Sequence, residues 1–151
     1  MSMLHVPARF AGCQRSAVRM TVEVNNIVVP ASDYRATAEL VACVLGLEVQ
    51  DDGRFVSVRS TDGLSLSFSE SQNSVCILQC AFLMNGAEFD AALARIRRAG
   101  IDFYSSFDGK GRGEWNLQHG GRGIYFNDPD NHLFELIELR SRIKAVAIKF
   151  S

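Results

Sequence analysis

Two stretches with helical spacing, "YRATAELVACVLG" and "AEFDAALARIRRAG", each end in glycine, and each follows a run of extended character. In the first, Ala36, Leu40, Val41, Val44 and Leu45 fall near one face; in the second, Phe89, Leu93 and Ile96 form a stripe. Ser32 or Asp33 is placed to cap the first helix, and Gly46 and Gly100 are the expected stops. The first helix is preceded by "VEVNNIVVP" and followed by "LEVQ", "FVSVRS" and "LSLSFS", which the turn signals "DDG" and "TDG" separate. The second is preceded by "VCILQCAFLM" and followed by "IDFYSS", then a Gly-rich segment from Asp108 to Gly121, then "GIYFN" and "HLFELIEL". The order is β-α-β-β-β, twice. A unit repeated in one chain stacks on itself to bury a shared face. The predicted class is α+β, with two βαβββ modules and short strands curved into a cupped mixed sheet.

The boundaries follow from this plan. Residues 21–140 form one domain, with module one at 21–70 and module two at 75–140, and 141–151 are a C-terminal tail. Residues 1–20 contain Arg9, Arg15 and Arg19 and no acidic residue, and they lack the apolar centre of a secretory signal. They read as a disordered leader, or as an overlong start with Met20 as the initiator. With 151 residues, 47% of them hydrophobic, the chain has enough to bury a real core. Its net charge of −1 offers no attraction to nucleic acid or to an anionic membrane surface. No uninterrupted apolar run is long enough to cross a bilayer. The cysteines, Cys13, Cys43, Cys76 and Cys80, form no C-x-x-C pair, so they read as reduced thiols of a cytoplasmic protein. A dinucleotide-binding fold is excluded because no G-x-G-x-x-G joins a strand to a helix. "GKGRG" at Gly109–Gly113 lacks the spacing of a phosphate loop and reads as a flexible loop. Arg95, Arg97 and Arg98 read as a solvated, dipole-matched helix end.

Strand alternation singles out three residues. Asn26 shares a face with Val22, Val24 and Val28. Gln79 shares one with Val75, Ile77, Ala81 and Leu83, and Glu135 one with Leu133, Ile137 and Leu139. Burying such a group unpaired costs about 1–3 kcal/mol, and more for a carboxylate. A shared pocket would hold a metal, a water network or a polar ligand. Local hydrogen bonds, or a solvated face, would explain the same pattern.

At these residues the chain resembles the vicinal oxygen chelate superfamily, which contains glyoxalase I, extradiol dioxygenases, fosfomycin-modifying enzymes and bleomycin-resistance proteins. The resemblance covers about Met20 to Arg140. It rests on "NNIVVPASD…VLGLEV", on "QCAFLM…EFDAALARIRRAG" and above all on "GGRGIYFNDPDNHLFELIE". It implies a sheet wrapped around a cavity. In the metal-dependent members the cavity holds a divalent ion such as Zn, Ni, Mn or Fe, at positions that here are Asn26, Gln79 and Glu135. Histidine usually stands at the first of these, and histidine or glutamate at the second. Glu135 matches; the two amides are poorer ligands.

The expected pocket is lined by Val24, Val28, Phe68, Ile77, Ala81, Phe126 and Ile137, with Trp115 or Tyr125 stacking on a ligand. His119, in the Gly-rich segment, reads as a substrate contact or acid/base, or as an exposed loop histidine. His132 reads as a turn or opposite-face residue. Three functions compete: a small-molecule binding protein with a degraded metal site; a metal-dependent lyase, isomerase or dioxygenase; and a noncatalytic interaction module. The expected partners are a small-molecule ligand and a second copy in a homodimer.

Overall fold

The computed structural model describes residues 24–139, apart from 72, 74 and 119, together with the backbone of 148–150. The leader, the question of its start site, and His119 lie outside the described residues.

Module one runs β1 (Asn26–Ala31), α1 (Tyr34–Leu45), β2 (Val49–Asp51), β3 (Val56–Arg59) and β4 (Ser65–Glu70). Module two runs β5 (Leu78–Met84), α2 (Gly86–Ala99), β6 (Asn116–Gln118), β7 (Gly121–Asn127) and β8 (Leu133–Glu138), and β9 (Ile148–Phe150) follows. The first sheet has the order β1-β4-β3-β2 and the second β6-β7-β8-β5-β9. In each module the strand before the helix pairs in parallel with the module's last strand, β1 with β4 and β5 with β8. The expected α+β class and doubled plan are present. One element differs. "IDFYSS" contributes only isolated bridges from Tyr104 to Arg112 and Tyr125, and the second strand of module two is β6, inside the Gly-rich segment.

The helices form where the caps permit. Asp33, rather than Ser32, accepts from Ala36 N to open α1, and Asn85 with Glu88 closes a full capping box on α2. Gly46 and Gly100 take left-handed conformations at the two C-termini. At Gly46 the Arg95 guanidinium occupies the space of a Cβ, and Arg95 Nη1 donates to Val44 O at 3.2 Å. α1 buries Thr37, Ala38, Val41, Ala42 and Val44 while Ala36 is exposed, so its buried stripe is rotated from the expected one.

One apolar core joins both modules on the helix side of the sheets. It includes Val29, Phe68, Cys80, Phe89, Ile124, Phe126, Phe134 and Leu136. Phe126 and Phe134 stack with ring centroids 5.3 Å apart. The thiol of Cys80 is pushed up to about 11 by this burial.

The modules meet at His132, which is fully buried. Its Nδ1 accepts from Leu78 N at 2.9 Å, so the ring proton resides on Nε2, which donates to Pro30 O at 2.9 Å. Replacing His132 with alanine leaves both backbone groups unpaired in a dry site. His132→Ala should destabilise the fold by about 3 kcal/mol, read as a lower urea midpoint with an unchanged slope. Arg112→Ala, which removes an exposed pair with Asp102, should leave the urea midpoint nearly unchanged. Equal losses in the two variants would refute the junction's importance.

Candidate functional site

The alternation that fills the core also defines the opposite, helix-free face. In the second sheet this face carries Gln79 and Ala81 from β5, Glu135 and Ile137 from β8, and Tyr125 from β7. Ala81 and Tyr125 stand on either side of Glu135 in the register. Gln79 pairs with Leu133, which makes it a diagonal neighbour of Glu135 on the same face. Glu135 is 7% exposed and Tyr125 6%. Burial, with the neighbouring Glu135 carboxylate adding to it, raises the Tyr125 pKa well above the usual phenol range.

In the first sheet the helix-free face carries Asn26 and Val28 from β1, Ser65 and Ser67 from β4, and Ser57 from β3. The register pairs Asn26 with Ser65, Val28 with Ser67, and Ser57 with Ser67. Ser67 Oγ donates to Asn26 Oδ1 at 2.8 Å and lies 3.0 Å from Ser57 Oγ. Structure therefore joins Gln79, Glu135 and Tyr125 on one sheet. It places Asn26 on the other, held by serines; among the described residues no hydrogen bond links it to Gln79 or Glu135.

Two expected pocket residues belong elsewhere. Phe68 and Phe126 are fully buried in the core. Phe68 pairs with Val29 and Val56, and Phe126 with Phe134, all on the helix side. Val24, Val28 and Ile77 lie at 54%, 46% and 53% exposure, and Trp115 is 45% exposed in the segment before β6. Hydrogen bonds cross the Gly-rich segment: Ser105 N donates to Gly111 O at 3.1 Å and Gly113 N to Phe103 O at 2.8 Å. At Gly111, with φ of +66°, a Cβ would overlap Ser105 Oγ. Among the helix-end arginines, Arg95 lies across the end of α1, while Arg97 stands over the Phe103 ring.

A second cluster escaped the sequence reading. Ligating atoms of Asp128, Asp130 and His132 all lie within 4.8 Å of one another. Each is engaged in the fold. Asp128 accepts from the Thr37 hydroxyl at 2.9 Å and from His132 N at 2.8 Å, and Asp130 accepts from Ser32 N and Oγ at 2.7 and 2.6 Å. The cluster latches module two to the start of α1. The signal for it was the "DPDN" turn itself, with Asn131 at a φ of +65°.

Solved structures with this architecture cover most of the chain. "Oxidase ChaP-H2" is 37% identical over 80% of this chain and 95% of its own, with a TM-score of 0.74. "Oxidase ChaP-H1" is 36% identical over 79% and 97%, with a TM-score of 0.73. A lactoylglutathione lyase from Agrobacterium tumefaciens, at 18% identity over 80% and 96% and a TM-score of 0.60, shares the fold. No family model and no curated protein sequence matches the chain.

The Tyr125–Glu135 pair makes a pH prediction. Tyrosine in the unfolded chain ionises near ~10, while Tyr125 in the fold holds its proton to higher pH. Above that point the unfolded state binds fewer protons, so stability falls as pH rises. Tyr125→Phe should show a shallower alkaline loss in urea unfolding at a series of pH values. An unchanged slope would show that the Tyr125 phenol does not hold its proton to higher pH in the fold.

Proposed function

The chain belongs to the vicinal oxygen chelate superfamily, and we propose that it is a small-molecule oxidase whose substrate lies on the helix-free face against Glu135. The carrying observation is Glu135 itself. It is a carboxylate kept on a sheet face that no helix covers, almost fully buried, beside a protonated phenol. Such a group takes a proton from a bound acidic hydroxyl, the ordinary work of a general base. The product, a phenolate or enolate, gives electrons to dioxygen more readily than its neutral parent. The names of the two oxidase relatives support oxidation as the class of reaction.

The superfamily implies a divalent ion at Asn26, Gln79 and Glu135, and the donors in this chain do not fit it. They comprise one carboxylate and two neutral amides. Asn26 Oδ1 is turned into the sheet, where it accepts from Ser67. Zinc, nickel and iron favour imidazole, and weak oxygen donors hold them poorly. Purified protein should carry no stoichiometric Zn, Ni, Mn or Fe by elemental analysis. Stoichiometric metal that Glu135→Ala abolishes would restore the metal-dependent lyase, isomerase or dioxygenase reading.

The domain boundaries given above and a cytoplasmic setting complete this reading; the latter is supported by Cys43, Cys76 and Cys80, which are free thiols. Among the described residues no helix is long and apolar enough to cross a membrane. Exposed Phe107 and Leu117 support a homodimer.

The test is a panel of phenolic and enolic compounds, scored for binding by equilibrium dialysis and for turnover by oxygen uptake. The expected result is oxygen uptake with at least one binder, and a loss of about 100-fold or more in Glu135→Gln with the fold retained. Binding without uptake would favour a drug-sequestering protein. Uptake that Glu135→Gln leaves unchanged would refute the proposed base.

A further inference from the structure

The hydrogen bonds around Asn26 run in one direction. A hydroxyl has a single proton. Ser67 gives its proton to Asn26 Oδ1, so the proton in the 3.0 Å contact between Ser57 and Ser67 belongs to Ser57. The relay therefore runs from Ser57 to Ser67 to the Asn26 carbonyl. Ser67 is 6% exposed, which holds the relay in place. The Asn26 oxygen is turned toward β4 and the amide nitrogen remains. Among the described residues that nitrogen has no partner, and Asn26 is exposed on the helix-free face.

We propose that Asn26 is an oxyanion-binding residue, and that Ser67 and Ser57 are positioning residues that fix its amide. The ligand is a planar phenolic or enolic molecule bound through a carbonyl or anionic oxygen. This inference rests on the small-molecule reading above and names the oxygen that the first sheet receives. Three features argue for it. The Asn26 nitrogen offers two N–H donors and no acceptor. Hydroxyls donating in series to the carbonyl polarise the amide, and a polarised donor binds an anionic oxygen more strongly than a neutral one. Val24 and Val28 flank Asn26 on the same face at 54% and 46% exposure, which provides an apolar bed for a flat ring. The same geometry explains why an amide at this position is a poor metal ligand: its oxygen is spent inside the sheet.

The probe is 4-nitrophenolate, whose absorbance reports its own ionisation. Bound to the wild-type chain it should titrate at a lower pH than in water. Asn26→Asp keeps the acceptor for Ser67 and so keeps the fold, checked by thermal unfolding. It replaces the donor with a negative charge, and the affinity should fall at least tenfold with the downward shift abolished. Ser67→Ala should lose most of the shift, and Ser67→Thr should restore it, an outcome that a merely structural serine would not produce. Val28→Trp, a change at an exposed position beside Asn26, should block the probe. Absence of probe binding to the wild-type chain overturns the proposal. Binding that Val28→Trp blocks but Asn26→Asp leaves unchanged overturns the oxyanion site while leaving a ligand on this face. Binding that neither Val28→Trp nor Glu135→Gln alters overturns the oxyanion site and the small-molecule reading together.

Discussion

A buried imidazole with a fixed proton is the constraint on which the two-module architecture depends. β1 and β5 are the strands that begin their modules, and neither pairs with the other as a strand. His132 spans them instead, accepting from Leu78 N and donating to Pro30 O. One ring thereby satisfies a donor on one sheet and an acceptor on the other. Lysine or arginine could only donate, and an apolar side chain could do neither. The surrounding turn serves the same end. Asp128 holds His132 N and Thr37, and Asp130 holds Ser32, so the start of α1 is tied to the turn that delivers the imidazole.

With the modules tied, the strands sort their side chains. Apolar residues of both sheets meet the helices in one core, and the other face is left free to carry polar groups. Each of the two sheets settles its polar residue locally. Glu135 stands opposite Tyr125 across one register pair, and Asn26 receives the Ser67 hydroxyl from the neighbouring strand. Neither arrangement requires an ion. Gly121 and Arg122 fix the start of β7 against the end of β8: no Cβ fits beside Glu138 O at Gly121, and Arg122 pairs with both Glu138 and Asp90.

Period-2 alternation made Asn26, Gln79 and Glu135 visible in the sequence, because a polar residue on an apolar stripe needs no register to be seen. The same alternation cannot tell which stripe meets the helices. Phe68 and Phe126 look suited to a pocket by composition alone. Their place in the core follows from pairing with Val29 and Phe134, which only the register supplies. Tyr125 is expected to stack on a ligand from its residue type alone; that it stands opposite Glu135 follows only from the β7–β8 register. β6 was hidden because three residues among glycines show no period. β9 was hidden because it is a short strand whose pairing with β5 is non-local. For His132 the opposite face was legible, but its two backbone partners lie 54 and 102 residues away along the chain.

The two polar settlements have opposite signs. On the first sheet the side-chain oxygen accepts internally and a donor faces outward; on the second a carboxylate with acceptor capacity stands beside a phenol. A divalent ion needs acceptors from every side, so an outward donor at Asn26 works against it. On the proposed reading, a ligand that reaches both residues accepts a hydrogen bond at Asn26 and donates one at Glu135, and a molecule carrying a carbonyl and an acidic hydroxyl meets both demands. A hydroxyl that gave its proton to Glu135 would leave negative charge on the conjugated carbonyl oxygen, which the Asn26 donors would hold more tightly than the neutral form. In that proposal, amides in place of imidazoles favour an anion made in place over a cation with its ligands.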